Sequence, residues 1–360
     1  MMQTDLKFMA YALQLAERGC FTTDPNPRVG CVLVKDGQII GEGWHERAGQ
    51  AHAEINALKN AIEDVRGATA YVTLEPCSHH GKTPPCCDAL INSGIKRLVV
   101  AMTDPNPLVA GRGLERCRAA GIEVVCDVLR AEAEKLNRGF ISRMTKNRPF
   151  VRSKIAMSLD GRTALANGES KWITSPESRA DVHRLRAESS AVLTGIGTVL
   201  ADNPSLNARV DFPVMQPIRV VLDTQLHMPL DSQLGKLDGR TLILTCSTNE
   251  QKSEALKQAN FEIHVLPERN GQLDLHAVMT FLAEQEINTV FVEAGATLNG
   301  ALLESGLVDE WLIYMASCVL GDKERGVFAF NELQSMADKK ILHWRDVRHI
   351  GQDLRLTLSA

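Results

Sequence analysis

The feature that most constrains the fold of this chain is a regular alternation of short apolar segments with amphipathic helical segments. In the first 130 residues, apolar segments typical of strands occur at 28–34, 38–43, 68–74, 97–102 and 122–126. Helical periodicity occupies the stretches around them, at about 4–19, 52–64, 85–93 and 108–120. Strands that are separated by single helices favour a three-layer α/β/α domain.

The second half of the chain alternates in the same way. Strands are predicted at 150–157, 191–195, 218–222, 241–245, 262–266, 289–293 and 311–315, and helices at about 176–189, 275–286 and 297–305. A charged amphipathic helix over 130–146, ended by Asn147-Arg148-Pro149, separates the halves. We therefore expect two α/β domains, residues 1–146 and 147–360, which suits a chain of 360 residues.

The charge of the chain argues against two classes of partner. The whole chain carries 40 Lys+Arg and 44 Asp+Glu, and residues 1–146 carry 18 and 17. A general binder of nucleic acid or of anionic membrane needs a clustered basic surface. No apolar run approaches the roughly 20 residues of a membrane span, and the N-terminus lacks the pattern of a secretory signal. We expect a cytoplasmic protein with no nucleic-acid or membrane partner.

The cysteines are concentrated in the N-terminal half, where seven of the nine precede residue 130. An odd number of cysteines in a long chain without an export signal does not indicate a disulfide framework. Buried thiols and metal ligands are the two remaining interpretations.

Two short motifs in this half contain the residues of a zinc site. His52-Ala53-Glu54 opens one predicted helix, and Pro76-Cys77 follows a strand, with Cys86 at the start of the next helix. One imidazole and two thiolates suit zinc, and three ligands leave the fourth position for water. Glu54 lies about 200° around a helix from His52, so it is free to move protons instead of binding metal. This arrangement is typical of zinc deaminases, in which activated water displaces an amino group.

Other interpretations of these motifs stay open. Cys86 and Cys87 are compatible with buried, inert thiols, and only the spacing favours Cys86 over Cys87 as a ligand. A nucleic-acid-editing zinc deaminase fused to a nucleotide-binding domain would contain the same motifs. A non-catalytic module with structural zinc would need a fourth protein ligand, for which Cys87 and His79 are the candidates.

Two glycine-containing turns follow strands of the second half. Gly195-Ile196-Gly197-Thr198 lacks the third glycine of the dinucleotide fingerprint, because Leu200 stands in its place. Glu293-Ala294-Gly295 follows another strand and opens a helix, whose N-terminus can accept phosphate. Two such turns would form one crevice at the carboxyl ends of a sheet, which favours a nucleotide. Ordinary strand–helix turns are the alternative.

Beyond these motifs, long runs of the sequence resemble one enzyme family. The runs DPNPRVGCVLV (24–34), GEGWHERAGQAHAE (41–54) and TLEPCSHHGKTPPC (73–86) closely resemble the deaminase half of the bifunctional deaminase/reductases of riboflavin biosynthesis. The run 154–162, the run Gly-x-Gly-Thr…Asp-x-Pro-x-Leu…Arg (195–209) and Glu293-x-Gly295 resemble the reductase half, so that the resemblance covers nearly the whole chain. Eight residues separate Cys77 from Cys86, not two as in the broad deaminase pattern, so the insert must loop out and return.

The resemblance implies a cytidine-deaminase-like first domain with a defined site. It gives His52, Cys77 and Cys86 as ligands of zinc (Zn2+) and Glu54 as the catalytic acid/base. It also implies that four residues line the substrate pocket, namely Asn26, His45, His79 and Lys82.

For the second domain the resemblance implies a dihydrofolate-reductase-like α/β fold that uses NADPH. The residues implied for the cofactor are Ala156, Trp172, Thr198, Asp202 and Gly295, with Thr224 as a further candidate. The residues implied for the substrate are Ser170, Arg186, Leu206, Arg209 and Glu293. The expected partner is a small phosphorylated pyrimidine, which is deaminated and then reduced from a ribosyl to a ribityl compound. We also expect a homodimer or higher homo-oligomer.

Overall fold

The computed structural model describes residues 2–78, 84–107, 109–330 and 332–359. The chain divides between Asn147 and Arg148 into two units, each with its own sheet and apolar core. None of the helices in this described part has the length and apolarity that a membrane crossing requires.

The N-terminal unit is built on a five-stranded sheet. Its strands are Gly30–Lys35 (β1), Gln38–Trp44 (β2), Thr69–Val72 (β3), Arg97–Val100 (β4) and Glu123–Val125 (β5). Its helices are Met2–Glu17 (α1), Ala53–Lys59 (α2), Cys86–Asn92 (α3), Arg112–Ala119 (α4), Arg130–Leu136 (α5) and Arg138–Lys146 (α6). The strand order is β2-β1-β3-β4-β5, in which β1 is antiparallel to its two neighbours and β3, β4 and β5 are parallel.

Close packing of α2 on the sheet sets the position of the residues at the start of this helix. A Cβ atom at Gly43 of β2 would lie 2.4 Å from the backbone nitrogen of Ala57 and 2.7 Å from the carbonyl oxygen of Ala53. Only glycine leaves room for this approach, because any side chain would push the helix away from the strand. The first turn of α2 is therefore buried against the sheet, with Ala53 and Glu54 both inaccessible to solvent.

The end of this unit differs from the prediction. The periodicity predicts one helix over 130–146, whereas the structure has two, α5 and α6, with a break at Asn137. The Asn137 side chain accepts a hydrogen bond from the backbone N–H of Arg28 at 2.8 Å and donates one to the Arg28 carbonyl at 2.9 Å. These bonds to a residue 109 positions away hold Asn137 outside helical geometry, and no local pattern encodes them.

The C-terminal unit is built on a nine-stranded sheet. Its strands are Phe150–Met157 (β6), Ala191–Gly195 (β7), Ile218–Leu222 (β8), Thr241–Thr245 (β9), Glu262–Val265 (β10), Thr289–Glu293 (β13), Glu310–Met315 (β14), His343–Ile350 (β15) and Asp353–Ser359 (β16); Glu268–Arg269 (β11) and Gln272–Leu273 (β12) form a separate pair. Its helices are Pro176–Ala187 (α7), Ile196–Asp202 (α8), Glu250–Gln258 (α9), Leu275–Glu284 (α10) and Ala296–Ser305 (α11).

Apolar cores cover both faces of this sheet. The strand order is β10-β9-β8-β7-β13-β6-β14-β16-β15, and all pairs from β10 to β14 are parallel. Successive residues of a strand enter opposite cores, as Val220 and Val221 of β8 do. Burial on both faces explains why these strands are continuous apolar runs in the sequence.

Several elements of this unit were not predicted. Helix α8 has only seven residues, which is too short for a clear helical period. The hairpin of β15 and β16 also lies beyond the predicted strands, although Leu354, Leu356 and Leu358 alternate with polar residues as a half-buried strand requires.

A buried ion pair fastens α1 to the N-terminal sheet and generates a prediction. Arg97 of β4 donates to both carboxylate oxygens of Asp5, at 2.7 and 2.9 Å, and the Tyr71 hydroxyl donates to the same carboxylate at 2.9 Å. The hydrogen bonds from Arg97 lower the pKa of Asp5. The ionised carboxyl therefore stabilises the fold above its unfolded pKa, and this contribution is lost as the pH falls through the lowered pKa.

We expect Asp5→Asn to destabilise the N-terminal unit by about 3 kcal/mol at neutral pH, because the buried Arg97 then keeps only the exposed Glu123 as a counter-charge. The measurement is hydrogen exchange of the β3 and β4 amides. Asp64→Asn is the control, since Asp64 pairs with Arg66 at the exposed surface and should cost less than about 1 kcal/mol. The difference in the free energy of unfolding between wild type and Asp5→Asn should become smaller at acid pH, because the Asp5 carboxyl group of the wild type is then protonated. An equal loss in both variants would contradict the assignment.

Candidate active sites

Three donor side chains converge at one end of the N-terminal sheet. The Nδ1 atom of His52 lies 3.7 Å from the sulfur of Cys77 and 3.3 Å from that of Cys86, and the three donor atoms all lie within 4.8 Å of one another. A tetrahedral zinc ion, with bonds of about 2.0 Å to nitrogen and about 2.3 Å to sulfur, separates such donors by about 3.5 Å. The donor set therefore fits zinc in both chemistry and spacing. No other group of three such donors lies as close in the described part of the chain.

Each donor is positioned by the junction of a loop with a helix. His52 immediately precedes α2, Cys77 follows β3, and Cys86 is the first residue of α3. The backbone N–H of Cys86 donates to the Cys77 sulfur at 3.3 Å, and that of Cys87 donates to the Cys77 carbonyl at 3.2 Å. The two ends of the eight-residue insert therefore meet, as the ligand spacing requires.

The electrostatics of the cluster favour the thiolate form of Cys77, whereas the hydrogen bond to Cys77 raises the pKa of Cys86. Hydrogen bonds from Cys86 and from His52 lower the pKa of Cys77, against the effect of burial. Cys87 is directed elsewhere, because its thiol donates to Asp88 at 3.7 Å and burial raises the pKa of Cys87 to about 11. The donor group thus contains Cys86 and not Cys87.

Glu54 lies beside this cluster but is not one of the three donors. Its side chain is 3% exposed, and burial raises the pKa of Glu54 to about 7. A carboxyl group with a pKa near neutrality can both accept and release a proton under physiological conditions. The structure therefore places a proton carrier next to the candidate metal centre.

Asn26 and His45 form a hydrogen-bonded pair next to the same cluster. The Nδ1 atom of His45 donates to the Ala51 carbonyl at 3.1 Å, so Nε2 accepts the bond from the Asn26 amide, also at 3.1 Å. The ring of His45 contacts that of His52 edge-on, with 5.4 Å between the centroids. Burial lowers the pKa of His45, which keeps this imidazole neutral. The other two predicted pocket residues, His79 and Lys82, lie outside the described residues.

Two residues of this unit were not singled out from the sequence. The Glu75 carboxylate is buried and binds three backbone amides, and Asn137 binds the backbone next to the turn that carries Asn26. Glu75 belongs to the run TLEPC, but nothing in that run shows where its carboxylate points. The roles of Glu75 and Asn137 both depend on hydrogen-bond partners that are far away in the sequence.

In the C-terminal unit, a charged cluster lies at the carboxyl ends of β6 and β13. Arg186 of α7 donates to both carboxylate oxygens of Glu293, with 3.0 Å between Nη2 and Oε2, and its Nη1 donates to the Asn207 carbonyl. Glu293 is paired in register with Lys154 of the neighbouring strand. Burial lowers the pKa of Lys154, an effect that the charge of Glu293 opposes. Lys154 lies in a sequence run noted above, but no role was assigned to it.

Arg209 lies at the edge of this cluster. Its backbone N–H donates to Nδ1 of His183 at 3.2 Å, and its guanidinium donates to the Asn207 side chain at 3.1 Å. Burial, together with the charges of Arg186 and Arg209, lowers the pKa of His183 to about 4. This imidazole is therefore neutral, and the positive charge of the cluster rests on Lys154 and the two arginines.

The two glycine turns lie side by side at this edge of the sheet. β7 and β13 are neighbouring parallel strands, and the Thr194 hydroxyl donates to the Glu293 carbonyl at 2.7 Å. The Gly195 turn leads into α8, which carries Thr198 and Asp202. The Gly295 turn leads into α11. Among the residues that the structure describes, no side chain caps either helix, so the first N–H groups can bind an anion such as a nucleotide phosphate.

The structure places the remaining predicted residues less closely together. Ala156 lies near the end of β6, and Ser170 and Trp172 lie in the connection between β6 and α7. The Trp172 ring is 70% exposed, with the Arg179 guanidinium 4.5 Å from its centroid. Leu206 is buried in the apolar core, so only its backbone can face a ligand.

Thr224 lies apart from the charged cluster. It follows β8, two strands away from β13, and its hydroxyl donates to Gln272 at 3.3 Å. The contacts of Thr224 thus lie toward β11 and β12.

Comparisons with known proteins agree with this architecture. Residues 2–102 match the family model of the cytidine and deoxycytidylate deaminase zinc-binding region, and residues 149–356 match that of the RibD C-terminal domain. The riboflavin biosynthesis protein RibD of Escherichia coli is 49% identical over 366 residues, covering 98% of this chain and 99% of the relative. The RibD protein of Haemophilus influenzae is 46% identical, and the match covers 99% of this chain and 97% of the relative.

Solved structures are similar over the same length. RibD of Acinetobacter baumannii (form 1) has a TM-score of 0.93 and 43% identity, covering 100% of this chain and 99% of the other. A deaminase/reductase of Thermotoga maritima has a TM-score of 0.88 and 37% identity, covering 99% of each chain.

These matches confirm the predicted fold class, a cytidine-deaminase-like domain followed by a reductase domain, and they confirm zinc and NADPH as cofactors. They do not favour the alternative of a nucleic-acid-editing deaminase. The small-molecule substrate is shared by the family. The chain belongs to the RibD family of bifunctional deaminase/reductases of riboflavin biosynthesis.

Proposed function

We propose that the chain has the two activities named for the Thermotoga maritima relative. The first replaces the 2-amino group of 2,5-diamino-6-(5-phosphoribosylamino)pyrimidin-4(3H)-one by oxygen and releases ammonia. The second reduces the ribosyl group of 5-amino-6-(5-phosphoribosylamino)uracil to ribityl with NADPH. We assign the first to residues 1–146 and the second to residues 147–360. The observation that carries the proposal is the convergence of His52, Cys77 and Cys86 beside the buried carboxyl group of Glu54.

In the deaminase site, we assign His52, Cys77 and Cys86 to zinc and Glu54 to proton transfer. Zinc, when bound, makes water acidic enough to act as a nucleophile near neutral pH. Glu54 then takes a proton from the attacking water and delivers one to the departing amine, a double role that its pKa of about 7 suits. Reversible protonation of one buried carboxyl group is sufficient for both transfers.

Asn26 and His45 orient the substrate beside that carboxyl group. One N–H of the Asn26 amide is bound to His45. The second N–H and the carbonyl oxygen are the groups of Asn26 that can bind the pyrimidine or a ribose hydroxyl. His79 and Lys82 stay predictions as contacts to the substrate.

In the reductase site, NADPH supplies the hydride, and the protein holds the substrate and supplies a proton. We assign Ala156, Trp172, Thr198, Asp202 and Gly295 to the cofactor, with Thr224 as a further candidate, and Ser170, Leu206 and Arg209 to the substrate. Arg209 is the cation at the edge of the cluster, so its guanidinium is suited to the substrate phosphate.

Arg186, Glu293 and Lys154 act together in this proposal. The Arg186 guanidinium holds Glu293 ionised, because its forked N–H groups bind both carboxylate oxygens. The ionised Glu293 in turn favours a proton on the partly buried Lys154. Lys154 gives this proton to the ribose ring oxygen as the C1′–O4′ bond breaks and the lone pair of the attached nitrogen forms a C1′=N bond. The hydride that NADPH would supply would then add to C1′. Burial makes this ammonium group a stronger acid than an exposed lysine.

We also propose that the protein is a homodimer that acts in the cytoplasm. β15 is an edge strand of eight residues, and Trp344 and Val347 on it are 63% and 55% exposed. A free edge with apolar side chains is a template for pairing with a second copy around a twofold axis. All nine cysteines are free thiols, which is typical of a reducing compartment.

The first prediction from the proposed function concerns Glu54. We expect Glu54→Gln to retain zinc and to lose ammonia release by at least about 100-fold, because the amide cannot carry a proton. Metal analysis and ammonia release from the diaminopyrimidinone substrate are the measurements, and Glu63→Gln, at an exposed site, is the control. Unchanged ammonia release in Glu54→Gln would refute the role of Glu54.

Two cysteine variants separate the metal ligands in the same assay. Cys77→Ala should lose zinc and deamination while it still reduces the supplied deaminated intermediate. Cys87→Ser should keep both zinc and deamination, because the Cys87 thiol is directed to Asp88. Loss of zinc from Cys87→Ser would show that Cys87 is a ligand.

The second prediction concerns the reductase proton. We expect Lys154→Met to lower kcat for reduction by about 100-fold, with the dissociation constant of NADPH changed less than twofold. Stopped-flow oxidation of NADPH and fluorescence titration are the measurements. Lys257→Met, which removes an exposed lysine of α9, is the control. A wild-type kcat in Lys154→Met would exclude it as the acid.

The third prediction concerns the dimer. We expect the wild-type protein to sediment as a dimer and Val347→Lys to sediment as a monomer, because a charge on the edge strand opposes pairing. Ile62→Lys, a change at an exposed apolar residue of the other unit, should leave the dimer intact. A dimeric Val347→Lys variant would place the interface elsewhere.

A further inference from the structure

Glu75 is a buried carboxylate close to the metal centre, and the proposed mechanism does not use it. It lies between β3 and Cys77, and its side chain is only 3% exposed. Its Oε2 atom accepts hydrogen bonds from the backbone N–H groups of Asp104 at 3.1 Å and Gly111 at 2.9 Å. Its Oε1 atom accepts a third from Gly113, also at 2.9 Å.

The three donors compensate the cost of burying this charge. A carboxylate without a partner is expensive to bury, and hydrogen bonds to an ionised acceptor are stronger than those between neutral groups. Gly113 also lies in the first turn of α4, where the aligned backbone dipoles favour a negative charge. The carboxylate therefore links the backbone around Glu75 to the backbone amides of Asp104, Gly111 and Gly113.

The two cross-linked segments leave the sheet side by side. β3 and β4 are adjacent parallel strands, so the connection that carries Cys77 and the one that leads to α4 emerge at the same edge. The contact is tight, because a Cβ atom at Gly113 would lie 2.1 Å from the carbonyl oxygen of Pro76. The start of α4 thus packs directly against the peptide group that precedes Cys77.

We propose that Glu75 is a positioning residue of the deaminase site, which fixes the Cys77 sulfur relative to His52 and Cys86 by holding the start of α4, at Gly111 and Gly113, against Pro76. The proposal rests on the proposed function of this cluster as a zinc centre. It assigns no proton transfer and no metal bond to Glu75. The effect of Glu75 passes through the backbone of Pro76 and Cys77, and it determines how firmly the metal is held.

The test compares zinc release from variants of the full-length, zinc-loaded protein. Glu75→Gln keeps the size of the side chain but places an N–H donor against a backbone N–H donor, which breaks part of the clamp. We expect transfer of zinc to a coloured chelator at 25 °C to become about 10- to 100-fold faster. We also expect a lower kcat for deamination and an unchanged rate of reduction.

A matched control variant lies two residues from another zinc ligand. Asp88 of α3 forms an ion pair with Arg116 of α4 at 2.8 Å, so Asp88→Asn also removes a carboxylate that links to α4, but at the partly exposed surface. Zinc release from Asp88→Asn should match wild type. Glu75→Asp, which keeps the charge on a shorter side chain, should release zinc at an intermediate rate, and it serves if Glu75→Gln fails to fold.

The outcomes are distinguishable from one another. Zinc release from Glu75→Gln within twofold of wild type would overturn the proposal, and so would a variant whose melting temperature falls while its zinc release at 25 °C does not change. If Asp88→Asn released zinc as fast as Glu75→Gln, the proposal would also be overturned, because any weakened contact of α4 would then be enough to speed zinc release. A zinc-loaded wild type that releases no ammonia would instead refute the proposed function and leave the zinc-release comparison intact.

Discussion

The structure depends on one constraint, the burial of parallel strands on both faces, which leaves only their ends for polar chemistry. In the N-terminal unit Cys77 lies in the connection that follows β3, and in the C-terminal unit Glu293 ends β13. Lys154 lies next to Glu293 in the register of β6 and β13. The side chains that react can therefore come from segments far apart in the chain, because neighbouring strands deliver them to the same edge.

Three glutamates, two of them buried and one partly buried, show how the surroundings of a carboxyl group assign its task. Arg186 pairs with Glu293 and holds it as a fixed negative charge. Three backbone amides donate hydrogen bonds to the Glu75 carboxylate, which makes it a structural clamp. At Glu54 the hydrogen bonds from the backbone and from Cys86 do not offset burial, which raises the pKa of Glu54 to about 7. A carboxyl group exchanges protons readily near neutral pH only where its surroundings destabilise the ionised form and so raise its pKa.

Much of the fold follows from apolar patterns. The strands β6, β7, β8, β9 and β13 coincide with their predicted bounds. Largely apolar runs of five residues predict β7, β8, β9 and β13 as buried parallel strands, and the alternation of apolar and polar residues predicts β6. The single helix predicted over 130–146 was wrong, because Asn137 satisfies the backbone of Arg28 instead of continuing the helix. The hairpin of β15 and β16 went unpredicted although its leucines alternate, and its edge strand is largely exposed.

The sequence by itself determined the chemistry of this protein, because His52, Glu54, Cys77 and Cys86 are identified by residue type and by position at the starts of helices. The sequence could not determine which ionisable side chains are bound by hydrogen-bond or charge partners and which remain able to react. That depended on tertiary contacts: Cys87 turns to Asp88, Glu75 meets the amides before α4, and Lys154 lies beside Glu293. Charge and proton affinity depend on distance and burial in three dimensions, and neither quantity is a property of neighbours along the chain.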